Sequence, residues 1–204
     1  MSTIEYNQLK ASGLSFGEPR PIGEGKNKLG DMIPILYDGK VPVVVIGDRI
    51  ETQRATLFVS SFGGKRLAMN LEAGSVGARS YNNICEFVRK KIESGSLDTA
   101  VPGIKKLYSV VGKIKPITDE TEEGLFLTVT SGSKYFDIHG DDIEPIETFP
   151  STISGVVAMR VNGVFVGPKS VKISLAMDFV MIGPKQKNNI IAKLIKNLDE
   201  MAMY

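Results

Sequence analysis

Residues 33–47, IPILYDGKVPVVVIG, and 56–71, TLFVSSFGGKRLAMNL, decide the fold class. In the first stretch, 33–37 reads as a strand. Asp38-Gly39 supplies the residues of a two-residue hairpin turn, because a type I′ turn needs positive φ at both central positions. VPVVVIG, 41–47, then returns with both faces apolar, as a buried strand does. Pro42 removes one ladder donor and fits near a strand start. In the second stretch, 56–62 and 65–71 flank Gly63-Gly64. Together these residues predict a four-strand meander.

Downstream, the period changes. SYNNICEFVRKKIES, 80–94, places Tyr81, Ile84, Cys85, Val88 and Ile92 on one helical face and Arg89, Lys90, Lys91 and Glu93 on the other. Ser80 is the expected N-cap and Gly95 the expected stop. Strands are then predicted at 107–115, 124–130 and 134–139. Two more, 155–161 and 164–167, flank Asn162-Gly163, the strongest short hairpin signal in the chain. A last strand spans 170–182. Residues 187–202 carry an apolar stripe of Ile190, Ile191, Leu194, Ile195, Leu198 and Met201, expected of a closing helix. Residues 1–30, rich in Gly and Pro with little periodicity, read as a flexible arm.

The expected organisation is an arm (1–30), a β-barrel domain (31–185) and a C-terminal amphipathic helix (186–204). The class is mainly β: an OB-like barrel with extra strands, with one helix inserted after the meander. A β-sandwich explains the same pattern of strands.

The 204 residues include one cysteine, Cys85, so no internal disulfide forms, and a reducing compartment is expected. No apolar run reaches the ~20 residues a membrane-spanning helix requires. MSTIEYNQLK lacks the apolar core of a secretory signal. An intracellular protein, cytoplasmic or nuclear, is therefore expected. Net charge is +2, but residues 118–147 hold nine acids against the single base Lys134, leaving the rest of the chain at +10. Such a basic body suits a polyanionic partner, but from charge alone a well-mixed solvated surface with one acidic loop region is the favoured reading.

The chemistry of an internal catalytic centre is scarce. One histidine, His139, and one cysteine exclude a structural zinc site. Asp137, Asp141 and Asp142 leave a carboxylate-bound magnesium ion open as a lesser reading. There is no G-x-x-x-x-G-K-[ST] phosphate loop. No catalytic residue, cofactor or metal is predicted.

Binding to a single strand needs cations for the phosphates and aromatic faces for the bases. Three places combine them. Phe58 and Phe62 alternate with Ser60 on one face of 56–62, with Arg54 before and Lys65-Arg66 after. Lys134, Tyr135 and Phe136 sit beside a tight turn, and only one of the two rings should face outward. Arg160, Phe165, Lys169 and Lys172 flank Asn162-Gly163. The competing reading of each cluster is core phenylalanine beside solvated lysine.

These stretches carry a resemblance. Tyr37, Gly39 and Pro42 near the start, and Val161-x-Gly-Val-Phe165 followed by an alternating strand, resemble the layout of single-stranded-DNA-binding proteins of large DNA viruses and some phages, over about residues 30–182. The resemblance implies an OB fold and non-catalytic coating of single-stranded DNA, with RNA as the alternative strand, during replication or recombination. It also implies self-association, no membrane and, for a viral protein, a host-cell location. Many members end in an acidic recruiting tail; here the last residues, NLDEMAMY, fall on the expected helix. The alternative is a viral structural or assembly protein.

Overall fold

The computed structural model describes residues 3–4, 9–23, 25, 28–46, 53–61, 63–112, 114–118 and 124–183. The expected C-terminal helix lies outside them. The strands are β1 (Thr3–Ile4), β2 (Leu14–Phe16), β3 (Arg20–Ile22), β4 (Gly30–Ile33), β5 (Ile35–Tyr37), β6 (Val43–Ile46), β7 (Gln53–Val59), β8 (Lys65–Met69), β9 (Leu125–Thr128), β10 (Lys134–Phe136), β11 (Ser151–Gly167) and β12 (Ser170–Ile182). The helices are α1 (Val76–Glu93) and α2 (Ile104–Val111). The fold is mainly β, as expected, and neither helix is long and apolar enough to cross a membrane.

A ring of five strands organises the sheet. β7 pairs with β8, β8 with β9, β9 with β12, β12 with β11, and β11 with β7 again. All these pairings are antiparallel except β9–β12, a parallel contact at Thr128 and Ala176. Alternation along the strands divides the residues cleanly. Leu57, Leu67 and Leu127 stand opposite one another across β7, β8 and β9, and all three are fully buried. Ala55, Met69 and Leu125 form the next inward row. The alternate residues, Phe126 between these rows and Phe58, Arg66 and Thr128 beyond the leucine row, therefore face away from this core.

β11 is the common partner of the sheet. Its first residues pair with β7, Val157–Arg160 with β6, and Val164–Val166 with β4, while β12 runs along most of its length. This corrects the predicted meander. The Asp38-Gly39 turn does form, with φ of 48° and 76° and reciprocal hydrogen bonds between Tyr37 and Lys40. It closes only one bridge, because Pro34 separates β4 from β5, and β6 then departs to pair with β11 and β1. β7–β8 is the part of the meander that pairs as predicted.

The Asn162-Gly163 hairpin is also corrected. β11 runs through it unbroken, and the register skips Asn162 between Val161↔Leu175 and Gly163↔Ser174. Asn162 is the extra residue of a bulge. Gly163 lets the backbone of β4 approach: a Cβ there would lie 2.2 Å from the Ile33 carbonyl oxygen. The true hairpin turn is Pro168-Lys169, between Gly167 and Ser170.

Helix α1 begins earlier than predicted. Ser75, not Ser80, is its N-cap; the Ser75 hydroxyl accepts from the Ala78 N–H at 3.2 Å, and Ser80 is buried inside the helix. Gly95 stops it with φ of 76°, as predicted. Residues 107–115, predicted as a strand, contain most of α2 instead. Ile104, Leu107, Tyr108 and Val111 lie at i, i+3, i+4 and i+7; Ile104 is buried and Leu107 and Tyr108 pack against the core. The pair Val110-Val111 imitates a strand, yet Val110 is 77% exposed on the helix's outer side. The expected arm contributes β2, paired with β5, and β3, paired with β4, with Leu9 and Leu14 in the core.

Candidate nucleic-acid interface

A groove of about 1010 Å³ opens on the outside of the ring. Its wall over β7, β8 and β9 is set by register: Phe58 opposes Arg66, and Arg66 opposes Thr128. The Arg66 guanidinium donates to the Thr128 hydroxyl, which fixes its direction along the sheet. Phe126, two residues before Thr128, projects on the same face and is 55% exposed. Its ring meets Phe58 edge to face, with centroids 6.3 Å apart and planes at 79°.

The β11–β12 hairpin supplies the opposite wall. Phe165 and Lys172 are cross-strand partners there, and the Lys172 ammonium lies 5.6 Å from the centre of the Phe165 ring. Lys115 lines the groove from the segment after α2, and Tyr81 from α1. Burial is the main reason the Tyr81 phenol is raised far above its ordinary pKa, so it stays protonated. Three cations and three phenylalanines thus share one concave surface with no carboxylate among the described lining residues. Thr118 and Gly124 both line it, and the acids between them in sequence, Asp119 to Glu123, lie outside the described residues.

Four of the predicted site residues, Phe58, Arg66, Phe165 and Lys172, converge here. They come from two of the three predicted clusters, which the sequence separates by about a hundred residues. Phe62 lies outside the described residues. Lys65 alternates away from Arg66, with its ammonium 5.2 Å from the centre of the Phe149 ring. Arg54 is exposed near the start of β7, and Lys169 is exposed in the Pro168-Lys169 turn; neither lines the groove. Arg160 faces Asp178, with 3.7 Å between Nη1 and Oδ1, and is also outside the groove.

The third cluster is separate from the groove. Tyr135 is a correction: it is 4% exposed and pairs with buried Val180, so its ring belongs to the core and has no face for a base. Burial also raises its phenol pKa. Phe136 is the outward ring of that pair, but it packs edge to face on Phe179, and neither it nor Lys134 lines the groove.

Sequence reasoning missed Phe126 and Lys115. Phe126 carried a readable signal: it stands between Leu125 and Leu127, so strand alternation puts it opposite two core leucines. Lys115 fell in the residues misread as a strand.

Asp137, Asp141 and Asp142 do not assemble a cation site. The Asp137 carboxylate accepts from the backbone N–H groups of Asp141 and His139, which hold its pKa below the ordinary value. Among the described residues, no group of three or more His, Cys, Asp or Glu comes together as metal ligands. Comparison with protein families, with curated proteins and with solved structures gives no match to this chain.

Proposed function

We propose that this protein is a non-catalytic single-stranded nucleic-acid binder that coats DNA strands exposed during replication or recombination. The observation that carries this reading is the groove: Phe58, Phe126 and Phe165 interleave with Arg66, Lys115 and Lys172 on one open surface. Stacking on such rings is tolerant of base identity, and cations spaced between them track the phosphates. A duplex keeps its base faces inside its own stack, so the rings favour a single strand.

The strand order supports an OB-like description. Numbered by sequence within the ring, β7, β8, β9, β11 and β12 are strands one to five, and they close in the order 1-2-3-5-4-1. OB folds are five-stranded Greek-key barrels that bind oligonucleotides on the face of strands two and three and at the 1–2 and 4–5 loops. Here the corresponding parts are Arg66, Phe126 and Thr128 on β8 and β9, Ser60 at the β7–β8 loop, and Phe165 and Lys172 near the Pro168-Lys169 turn. Between the second and third strands of the ring lie α1, at the position expected for the inserted helix, and α2, where a strand was expected.

The test is fluorescence anisotropy of a labelled oligo-dT at two salt concentrations, with duplex DNA and oligo-U as competitors. Binding that weakens with salt and resists duplex supports the reading, and oligo-U decides between DNA and RNA. No binding at low salt refutes it and leaves an assembly protein as the working description.

A further inference from the structure

The three cations of the groove are not held alike. Arg66 stands on β8, between β7 and β9, and its guanidinium donates to Thr128. Lys172 stands on β12, opposite Phe165 of β11. Lys115 belongs to residues 114–118, which form neither strand nor helix. A segment outside the ladders must find other partners for the backbone groups it buries. Here side chains of the two helices supply them.

Asn82 of α1 clamps one residue of this segment from both sides. Its Nδ2 donates to the Ile117 carbonyl at 2.8 Å, and its Oδ1 accepts from the Ile117 N–H at 2.7 Å. A side-chain amide holds a donor beside an acceptor, so it satisfies both groups of Ile117, as a residue of a neighbouring strand does. About one turn further along α1, the Cys85 thiol donates to the Lys115 carbonyl at 3.6 Å. The Tyr108 hydroxyl of α2 donates to the Ile114 carbonyl at 3.5 Å. Ile114 and Ile117 are buried in the core, and Lys115 between them is exposed. The segment is thus pinned on both sides of Lys115, which lines the groove, whereas Asn82 does not.

We propose that Asn82 is a positioning residue of the groove: it touches no ligand, and by holding the main chain at Ile117 it keeps Lys115 in place for a phosphate. The inference rests on the single-strand reading of the groove. A lysine on a loose segment must give up the freedom of that segment before it meets a phosphate, and this ordering cost is subtracted from the contact. With the clamp in place, the ordering is done when the protein folds.

Two measurements on the full-length chain test this. Amide hydrogen exchange read by NMR reports the clamp: the Ile117 N–H should exchange slowly in the parent and faster in Asn82→Ala. An unprotected Ile117 N–H in the parent overturns the proposal before any variant is made. Anisotropy with labelled oligo-dT reads the consequence. Asn82→Ala should bind several-fold more weakly at low salt, with a plot of log K against log salt shallower by up to ~0.7, the share of one single-strand phosphate contact. That weakening should vanish in a Lys115→Gln background, because the two changes then remove one contact, not two. Should Asn82→Ala fail to fold, Asn82→Ser, whose hydroxyl is too short to reach both groups of Ile117, takes its place with the same expectations. Parent-like affinity in a folded variant with a freed Ile117 N–H overturns the positioning role, and so does weakening that adds in full to that of Lys115→Gln. A parent that binds no oligo-dT refutes the single-strand reading itself.

Discussion

Replacing Phe126 with alanine separates the groove from the core more sharply than any other change. The side chain is 55% exposed, so roughly half of its apolar surface is already in water. Full burial of a phenylalanine contributes ~1.5–3 kcal/mol, so losing the buried half costs about 1 kcal/mol. Losing the edge-to-face pair with Phe58 adds ~0.5–1.5 kcal/mol. The total, about 2 kcal/mol, leaves a domain of ordinary stability folded. Its fully buried neighbour Leu127, cut to alanine, should cost ~2–5 kcal/mol. Binding should show the reverse order. If Phe126 carries a stacked base, its loss costs ~1–3 kcal/mol of affinity, or about 5- to 150-fold in Kd. Leu127→Ala, assayed below its unfolding transition, should bind almost as the parent does. Urea denaturation gives the first quantity and anisotropy with oligo-dT the second. Wild-type affinity in folded Phe126→Ala would refute the stacking argument, because no other ring on β8 or β9 lines the groove.

Arg66→Gln with Lys172→Gln should flatten the dependence of log K on log salt by about 1.4, since each single-strand phosphate contact contributes ~0.7; an unchanged slope removes both cations from the phosphate path. Gly163→Ala should destabilise by more than about 2 kcal/mol, through positive φ and the Ile33 carbonyl, whereas Asn162→Ala at the bulge is expected to be mild; equal melting temperatures would contradict the close approach of β4 and β11. Burial raises the Cys85 thiol from 9.0 to about 12. Its neutral form is thus favoured by folding, and the unfolded chain loses the proton first. Stability is therefore flat below pH about 9 and falls as pH rises from there toward 12. Cys85→Ala should reduce that fall, and a parent with no alkaline loss of stability would contradict the buried placement.

What was legible in the sequence follows the physics of alternation. Leu57, Leu67 and Leu127 are core, and Phe58 and Arg66 are outward, because period two assigns faces without knowing any partner. Partners were not legible. The Asp38-Gly39 turn forms as its residues dictate, yet β6 pairs with β11, more than a hundred residues later in the chain. Nothing local to 33–47 encodes that choice. Asn162-Gly163 shows the converse. Its residues permit a turn, but continuous pairing of β11 with β12 on one side and β4 on the other outweighs two residues' turn preference. Phe165 and Phe58 could each be suspected, but their meeting in one groove depends on closure of the ring, a property of the whole chain.

The position of β11 in the chain also governs how the protein is made. β4, β6 and β7 all take β11 as partner, and all are synthesised before it. At about 5–20 residues per second, the ribosome releases residues 30–46 several seconds before Ser151–Gly167 emerges. During that interval β4, β6 and β7 can pair with β3, β1 and β8, but each keeps open the backbone edge that β11 will take. A nascent chain halted before residue 151 holds the sticky half of the sheet without the strand that closes it. Translation pauses between β7 and β11, or limiting holdase chaperones, should therefore lower soluble yield more than any change that weakens the finished groove.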